Sequence, residues 1–143
     1  MLSSEGSGQA AAEIVGRSRI AVLVPCYNEE AAIGKVVGGF RAALPDAEIY
    51  VYDNNSSDRS VEVATAAGAT VFREVHQGKG NVVRRMFTDV DADIYVLVDG
   101  DSTYHAASAG AMITHLLNGR LDMVVAVRVD RCSRTHEIGA RDT

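Results

Sequence analysis

Two kinds of apolar spacing alternate along this chain, short unbroken runs and longer stretches in which apolar residues recur every three or four positions. The run IAVLV, from Ile20 to Val24, is continuous, as expected of a strand buried on both faces. Pro25 has no N–H to give and is expected to end that strand's ladder. Ile33, Val36, Val37, Phe40 and Leu44 then mark one face of an amphipathic helix that stops before Pro45. A second strand is predicted over 48–52, followed by the cap and turn residues Asp53-Asn54-Asn55-Ser56-Ser57-Asp58 and a helix over 58–67 closed by Gly68. A short strand over 69–73 precedes His76-Gln77-Gly78-Lys79-Gly80 and a helix over 81–89. A fourth strand over 94–98, a helix over 106–118 stopped by Gly119, and a fifth strand over 122–128 complete the pattern.

Strand-helix alternation predicts an α/β fold with a mostly parallel sheet and helices on both faces, because parallel neighbours need crossover connections. Ligands of such sheets bind beyond the carboxyl ends of the strands. That rule gathers the loops after the first, second and fourth strands on one rim. Residues 1–18, small and Gly/Ser-rich at first, are expected to form a flexible leader with at most a weak helical turn near 10–15. The folded domain is expected over 19–129, and 130–143 is a polar tail without a period.

At 143 residues and 47% apolar content, one hydrophobic core is expected. A net charge of -5 and the absence of a long basic run argue against a nucleic-acid binder. The two cysteines, Cys26 and Cys132, form no disulfide framework and no CxxC pair, which favours a reducing, cytoplasmic setting and incidental thiols. No apolar run approaches the ~20 residues of a spanning helix, and the first residues lack a signal-peptide pattern.

The strongest chemical signal is Val98-Asp99-Gly100-Asp101, where an apolar strand ends in two carboxylates one residue apart. Such a pair suits a divalent cation carrying a nucleotide phosphate, with Gly100 allowing close approach; an ordinary Asp-Gly turn is the competing reading. In VPCYNEE, Pro25 stiffens the strand exit, Tyr27 offers a ring to a base or sugar, and Glu29 accepts hydrogen bonds, unless Asn28 and Glu29 simply start the helix. Asp53 is an acceptor for the imide N–H of uracil or an N–H of guanine, while the residues after it suit capping and turns. Gly78-Lys79-Gly80 lacks the GxxxxGK[ST] spacing of a P-loop, so a solvated lysine between glycines is the simpler reading.

The ordered set VPCYNEE, YDNNSSD, GKG and VDGD on consecutive strand-helix units resembles the inverting family-2 glycosyltransferases of GT-A fold, especially dolichol-phosphate and polyprenyl-phosphate mannose or glucose synthases. The resemblance runs from Ile20 to Arg128. It implies a Rossmann-like nucleotide-sugar-binding half. Pro25, Tyr27, Glu29, Asp53, Asn54, Lys79, Asp99, Gly100 and Asp101 would then form the nucleotide-sugar site. Asp99 and Asp101 would be the catalytic DxD pair holding Mg2+ or Mn2+, and Arg128 an acceptor or phosphate contact. The implied activity moves a sugar, with inversion and metal assistance, from a nucleoside-diphosphate sugar to polyprenyl phosphate. That places the chain in the cytoplasm, peripheral at the inner face of the membrane. The family often carries a second aspartate where Asn54 stands and glycine where Asn55 stands, so the base-binding turn is altered here.

The family continues where this chain ends, so the tail is read as a truncated acceptor segment, with His136 and Glu137 as weak candidates for an acceptor groove. Two other readings stand. One is a non-catalytic nucleotide-binding remnant. The other is a haloacid-dehalogenase-type phosphatase, in which Asp99 is the nucleophile and Asp101 the general acid of a DxDx[TV] motif.

Overall fold

The structure, a computed structural model, describes residues 17–101 and 105–126. Four strands, β1 (Ile20–Cys26), β2 (Glu48–Asp53), β3 (Thr70–Arg73) and β4 (Ile94–Leu97), alternate with helices α1 (Ile33–Ala43), α2 (Ser60–Ala66), α3 (Lys79–Asp89) and α4 (Ser108–Asn118). The sheet order is β3-β2-β1-β4, and every pairing is parallel. The chain therefore winds outward from β1 to β3, then crosses back to place β4 on the other side of β1. The reversal opens a crevice between the ends of β1 and β4, where open α/β sheets bind their ligands.

The continuous apolar run of β1 is explained by burial on both sides. Val22, Val24 and Cys26 face a layer made by α1, α2 and α4, with Ile33, Val37, Phe40, Ala64 and Ile113 among its buried residues. Ala21 and Leu23 face the opposite way, against Val82 and Met86 of α3 and the ring of Tyr52. Each fully buried aliphatic side chain contributes about 1.5–3 kcal/mol by leaving water. Gly68, at φ +103°, ends α2: its N–H reaches Thr65 O and the next N–H, of Ala69, reaches Ala64 O, satisfying two terminal carbonyls.

Several predicted boundaries shift. β1 continues through Pro25, which lies opposite Tyr52, to Cys26, opposite Asp53. Leu23 O accepts from Val98 on the β4 side and Cys26 O accepts from Asn54 on the β2 side. Alternation then turns the missing Pro25 N–H toward β4, whose pairing with β1 ends at Leu23–Leu97. The proline thus ends the ladder on one side only. Helix α3 begins at Lys79 rather than 81, α2 at Ser60 rather than 58, and α4 at Ser108 rather than 106.

The expected fifth strand is not formed in its described part. Residues 122–126 have no ladder partner among the described residues, and Met123 and Val125 are 75% and 72% exposed. An apolar run becomes a strand only when a neighbouring backbone accepts it. The end of that run, most of the leader and the tail lie outside the described residues, and with them Arg128, Cys132, His136 and Glu137. Among the described residues no helix is long and apolar enough to cross a membrane.

Candidate functional site

At the carboxyl edge of the sheet lies a cleft of about 400 Å³, within the range of small-molecule sites. Eight predicted residues line it: Pro25, Tyr27, Glu29, Asn54, Lys79, Asp99, Gly100 and Asp101. Segments up to 76 residues apart, counting from Pro25 to Asp101, meet here because parallel strands point the same way.

The first two loops hold each other. Asn28 donates its N–H to Ser56 Oγ (2.9 Å) and accepts the N–H of Ser57 on Oδ1 (2.8 Å). The N–H of Glu29 reaches the buried Ser60 Oγ (2.8 Å), and Arg59 N–H reaches Glu30 Oε2 (2.9 Å). Asn28 and Glu29 therefore do more than start a helix. Asn28 takes a left-handed φ of +50°, which asparagine tolerates, and α1 begins only at Ile33. This pairing leaves the Tyr27 ring 53% exposed on the cleft.

Asp53 is placed differently from expectation. It is fully buried at the end of β2 and does not line the cleft. Its Oδ2 accepts the N–H of Ser56 (3.1 Å) and lies 3.8 Å from Arg73 Nε, while Oδ1 has no partner among the described residues. Asn54 lines the cleft, but both amide hydrogens go to backbone carbonyls of the loop after β3, those of Glu74 and His76. Its direct contact with a base is thereby limited to the remaining acceptor capacity of Oδ1, which already takes the N–H of Gly78. Asn55 adopts φ +66°, the left-handed region that glycine would otherwise supply, so the asparagine in that position keeps the turn.

Lys79 is not a freely solvated lysine: its Nζ forms an ion pair with Asp99 Oδ1 across the cleft. Gln77 and Gly78 also line the site, and sequence reading missed both. Their signal was present: the loop follows the third predicted strand, and the rule that places loops at the carboxyl ends of parallel strands puts it on the same rim. Gly100 is buried, and a Cβ there would meet Pro25 O and Ile33 Cδ1 at 3.4 Å, ordinary contact distances. The added atom would also lie 3.5 Å from Glu29 Cγ, so protein packing alone does not demand a glycine here.

The electrostatics of the cleft are acidic. The Glu29 carboxyl is pushed up from its ordinary value, first by burial and then by the neighbouring charges of Asp101, Asp58 and Asp99. Carboxylates that raise one another's proton affinity favour a cation. Oxygen donors suit Mg2+ or Mn2+, and a Mg2+ site commonly has one or two carboxylates with phosphate oxygens and water completing it. Asp99 and Asp101 fit that donor set. No group of three metal-binding side chains is assembled among the described residues. Cys26 lines the cleft as a protonated thiol: burial, foremost, pushes it up to about 11, and it offers no nucleophile near neutral pH.

A parallel α/β sheet with a cleft at its reversal point, acidic at one end and carrying a ring and a lysine, defines a nucleotide-binding domain of GT-A type. The chain belongs to glycosyl transferase family 2, whose model matches residues 21–143. It is 61% identical over 109 residues to Protein RfbJ of Shigella flexneri, covering 76% of this chain and 84% of that protein. It is 32% identical over 117 residues to a dolichyl-phosphate hexose transferase of Haloferax volcanii, covering 81% of this chain and 50% of the relative. Among solved structures, it is similar to glucosyl-3-phosphoglycerate synthase from Mycobacterium tuberculosis in complex with Mn2+, UDP-glucose and phosphoglyceric acid. There the TM-score is 0.68 and the identity 27%, over 83% of this chain and 46% of the other. The chain thus spans about half the length of the latter two proteins. Family membership disposes of the phosphatase reading, which also leaves Tyr27 and Glu29 without a role.

Proposed function

We propose that this chain binds a uridine diphosphate sugar in the cleft and transfers the sugar, with inversion, to a phosphate-bearing acceptor, polyprenyl phosphate being the leading one. The carrying observation is the convergence of Tyr27, Glu29, Lys79, Asp99 and Asp101, from two strand ends and one helix start, on one cleft. The uridine and divalent-ion parts draw support from the mycobacterial synthase complex, and the lipid-phosphate part from the archaeal transferase.

In this reading the base lies against Tyr27. Asp53, fully buried and off the cleft lining, supports the loop beneath the base through the Ser56 N–H rather than meeting the base itself. Asp99 and Asp101 would hold Mg2+ or Mn2+, which when bound would neutralise charge on the departing diphosphate. Lys79, released from Asp99, stabilises the same oxygens. The bond from the sugar C1 to the diphosphate oxygen breaks, its electron pair leaving on the diphosphate, as an acceptor oxygen bonds to C1 from the opposite face. A phosphate acceptor is already anionic near neutral pH, so the site needs positioning more than a strong general base.

Two measurements test the reading. Calorimetry with UDP should show Mn2+-dependent binding; its absence sinks the proposal. Labelled UDP-glucose or UDP-galactose incubated with polyprenyl phosphate in detergent should give a glycolipid of inverted anomeric configuration. Nucleotide binding without any glycolipid would favour a non-catalytic nucleotide-binding domain.

A further inference from the structure

The loop 74–78 between β3 and α3 is fastened to the loop after β2 by the side chains of two successive asparagines. Asn54 is 5% exposed; its Nδ2 donates to Glu74 O (2.8 Å) and His76 O (2.9 Å), and its Oδ1 accepts the N–H of Gly78 (2.9 Å). Gly78 is the N-cap of α3, holds φ +125°, and has no side chain with which to cap the helix. Its own N–H is satisfied by an amide 24 residues upstream. Asn55 adds bonds from Nδ2 to Val75 O (3.0 Å) and Gln77 Oε1 (3.1 Å).

The chemistry requires amides. Backbone carbonyls accept hydrogen bonds, so position 54 must offer two donors and one acceptor together, which a carboxylate or a hydroxyl does not provide. A carboxylate at 54 would set its lone pairs against those of Glu74 O and His76 O and leave buried acceptors unpaired. The clamp holds a wall of the cleft: Gln77, Gly78 and Lys79 all line it, and Lys79 begins α3 directly after the clamped Gly78. Lys79 reaches Asp99 from that starting point.

We propose that Asn54, assisted by Asn55, is a positioning residue. It fixes the 74–78 loop, and through Gly78 the start of α3, so that Lys79 faces Asp99 across a cleft already shaped for a diphosphate. The proposal rests on the nucleotide-diphosphate reading for its ligand, whereas the clamp itself is testable without one.

The experiment uses the full chain, Asn54→Asp, and Asn55→Gly, which keeps the positive φ while removing the companion donors. Amide hydrogen exchange over 74–79 should rise roughly tenfold in Asn54→Asp and less in Asn55→Gly, with peptides of β1 unchanged. UDP with Mn2+, read by calorimetry, should bind Asn54→Asp roughly tenfold more weakly than the parent. In a Lys79→Ala background the same substitution should cost about twofold or less, because the effect passes through Lys79. Equal losses in both backgrounds indicate general structural damage and overturn the positioning role. Unchanged exchange in both variants overturns the clamp. Should Asn54→Asp fail to fold, Asn55→Gly carries both the exchange and the double-variant comparison. A parent chain that binds no UDP defeats the nucleotide reading, and the exchange measurement still supports or overturns the clamp.

Discussion

The two ends of the cleft are built in opposite ways. At the end formed by the loops after β1, β2 and β3, side chains bind neighbouring backbone across 20 to 31 residues of sequence: Asn28 to Ser57, Ser60 to Glu29, Asn54 to Glu74 and Gly78. At the end formed by β4, the acidic pair follows a strand of four residues, and Asp99 is met by a lysine whose side chain is 62% exposed. The first end is shaped before any ligand arrives. The second concentrates acidic charge, and the Glu29 carboxyl is pushed up from its ordinary value by burial first and then by Asp101, Asp58 and Asp99. Under the proposed function, such a division would let the chain recognise one part of a ligand by fit and the other by the cation that the ligand brings.

The largest effect is expected at the acidic end. Asp101→Ala should remove the metal-dependent part of UDP binding, about 100-fold or more, since even groups behind a metal ligand are worth 10–100-fold. Calorimetry with and without Mn2+ reads this, and an unchanged metal dependence would break the comparison. At the preformed end, Ser60→Ala should lower stability by about 1–3 kcal/mol, because the Glu29 N–H and the Asp58 carboxylate lose a buried partner. Urea unfolding measures it; a loss below ~0.5 kcal/mol would show that this end is not held as described.

Smaller effects sharpen the contrast. Lys79→Ala removes a competing cation from Asp99, so Mn2+ alone should bind about two- to fivefold more tightly, the scale of an exposed ion pair, while UDP with Mn2+ binds more weakly. Manganese titration followed by water-proton relaxation distinguishes the two signs. Gly100→Ala should change stability by no more than ~0.5 kcal/mol, given the ordinary contact distances its Cβ would meet, yet weaken UDP binding. A large drop in melting temperature instead would mean that packing, not ligand approach, requires this glycine.

Much of the architecture was legible beforehand because its physics is local. A strand buried on both faces, such as β1, writes itself as an unbroken apolar run, and helices packed on one face as a three-to-four spacing; β1, α1, β2 and the edge strand β4 appear close to where apolar patterns lie. Tyr27, Glu29, Asp99 and Asp101 were legible for a related reason, since polar residues directly after parallel strands have one rim to go to. Less legible was the segment 122–126, where an apolar run met no strand to pair with among the described residues.

By itself the sequence determined the order of strands and helices, the family, and the side chains available at the rim. Only the tertiary structure decided which of those side chains face a ligand and which serve the protein. Asp53 and Asn54 are neighbours in one turn, yet the first is sealed beneath the site and the second holds a loop 20 to 24 residues away. Hydrogen bonds between loops depend on where crossovers bring distant backbone groups within about 3 Å, and no local periodicity encodes that meeting.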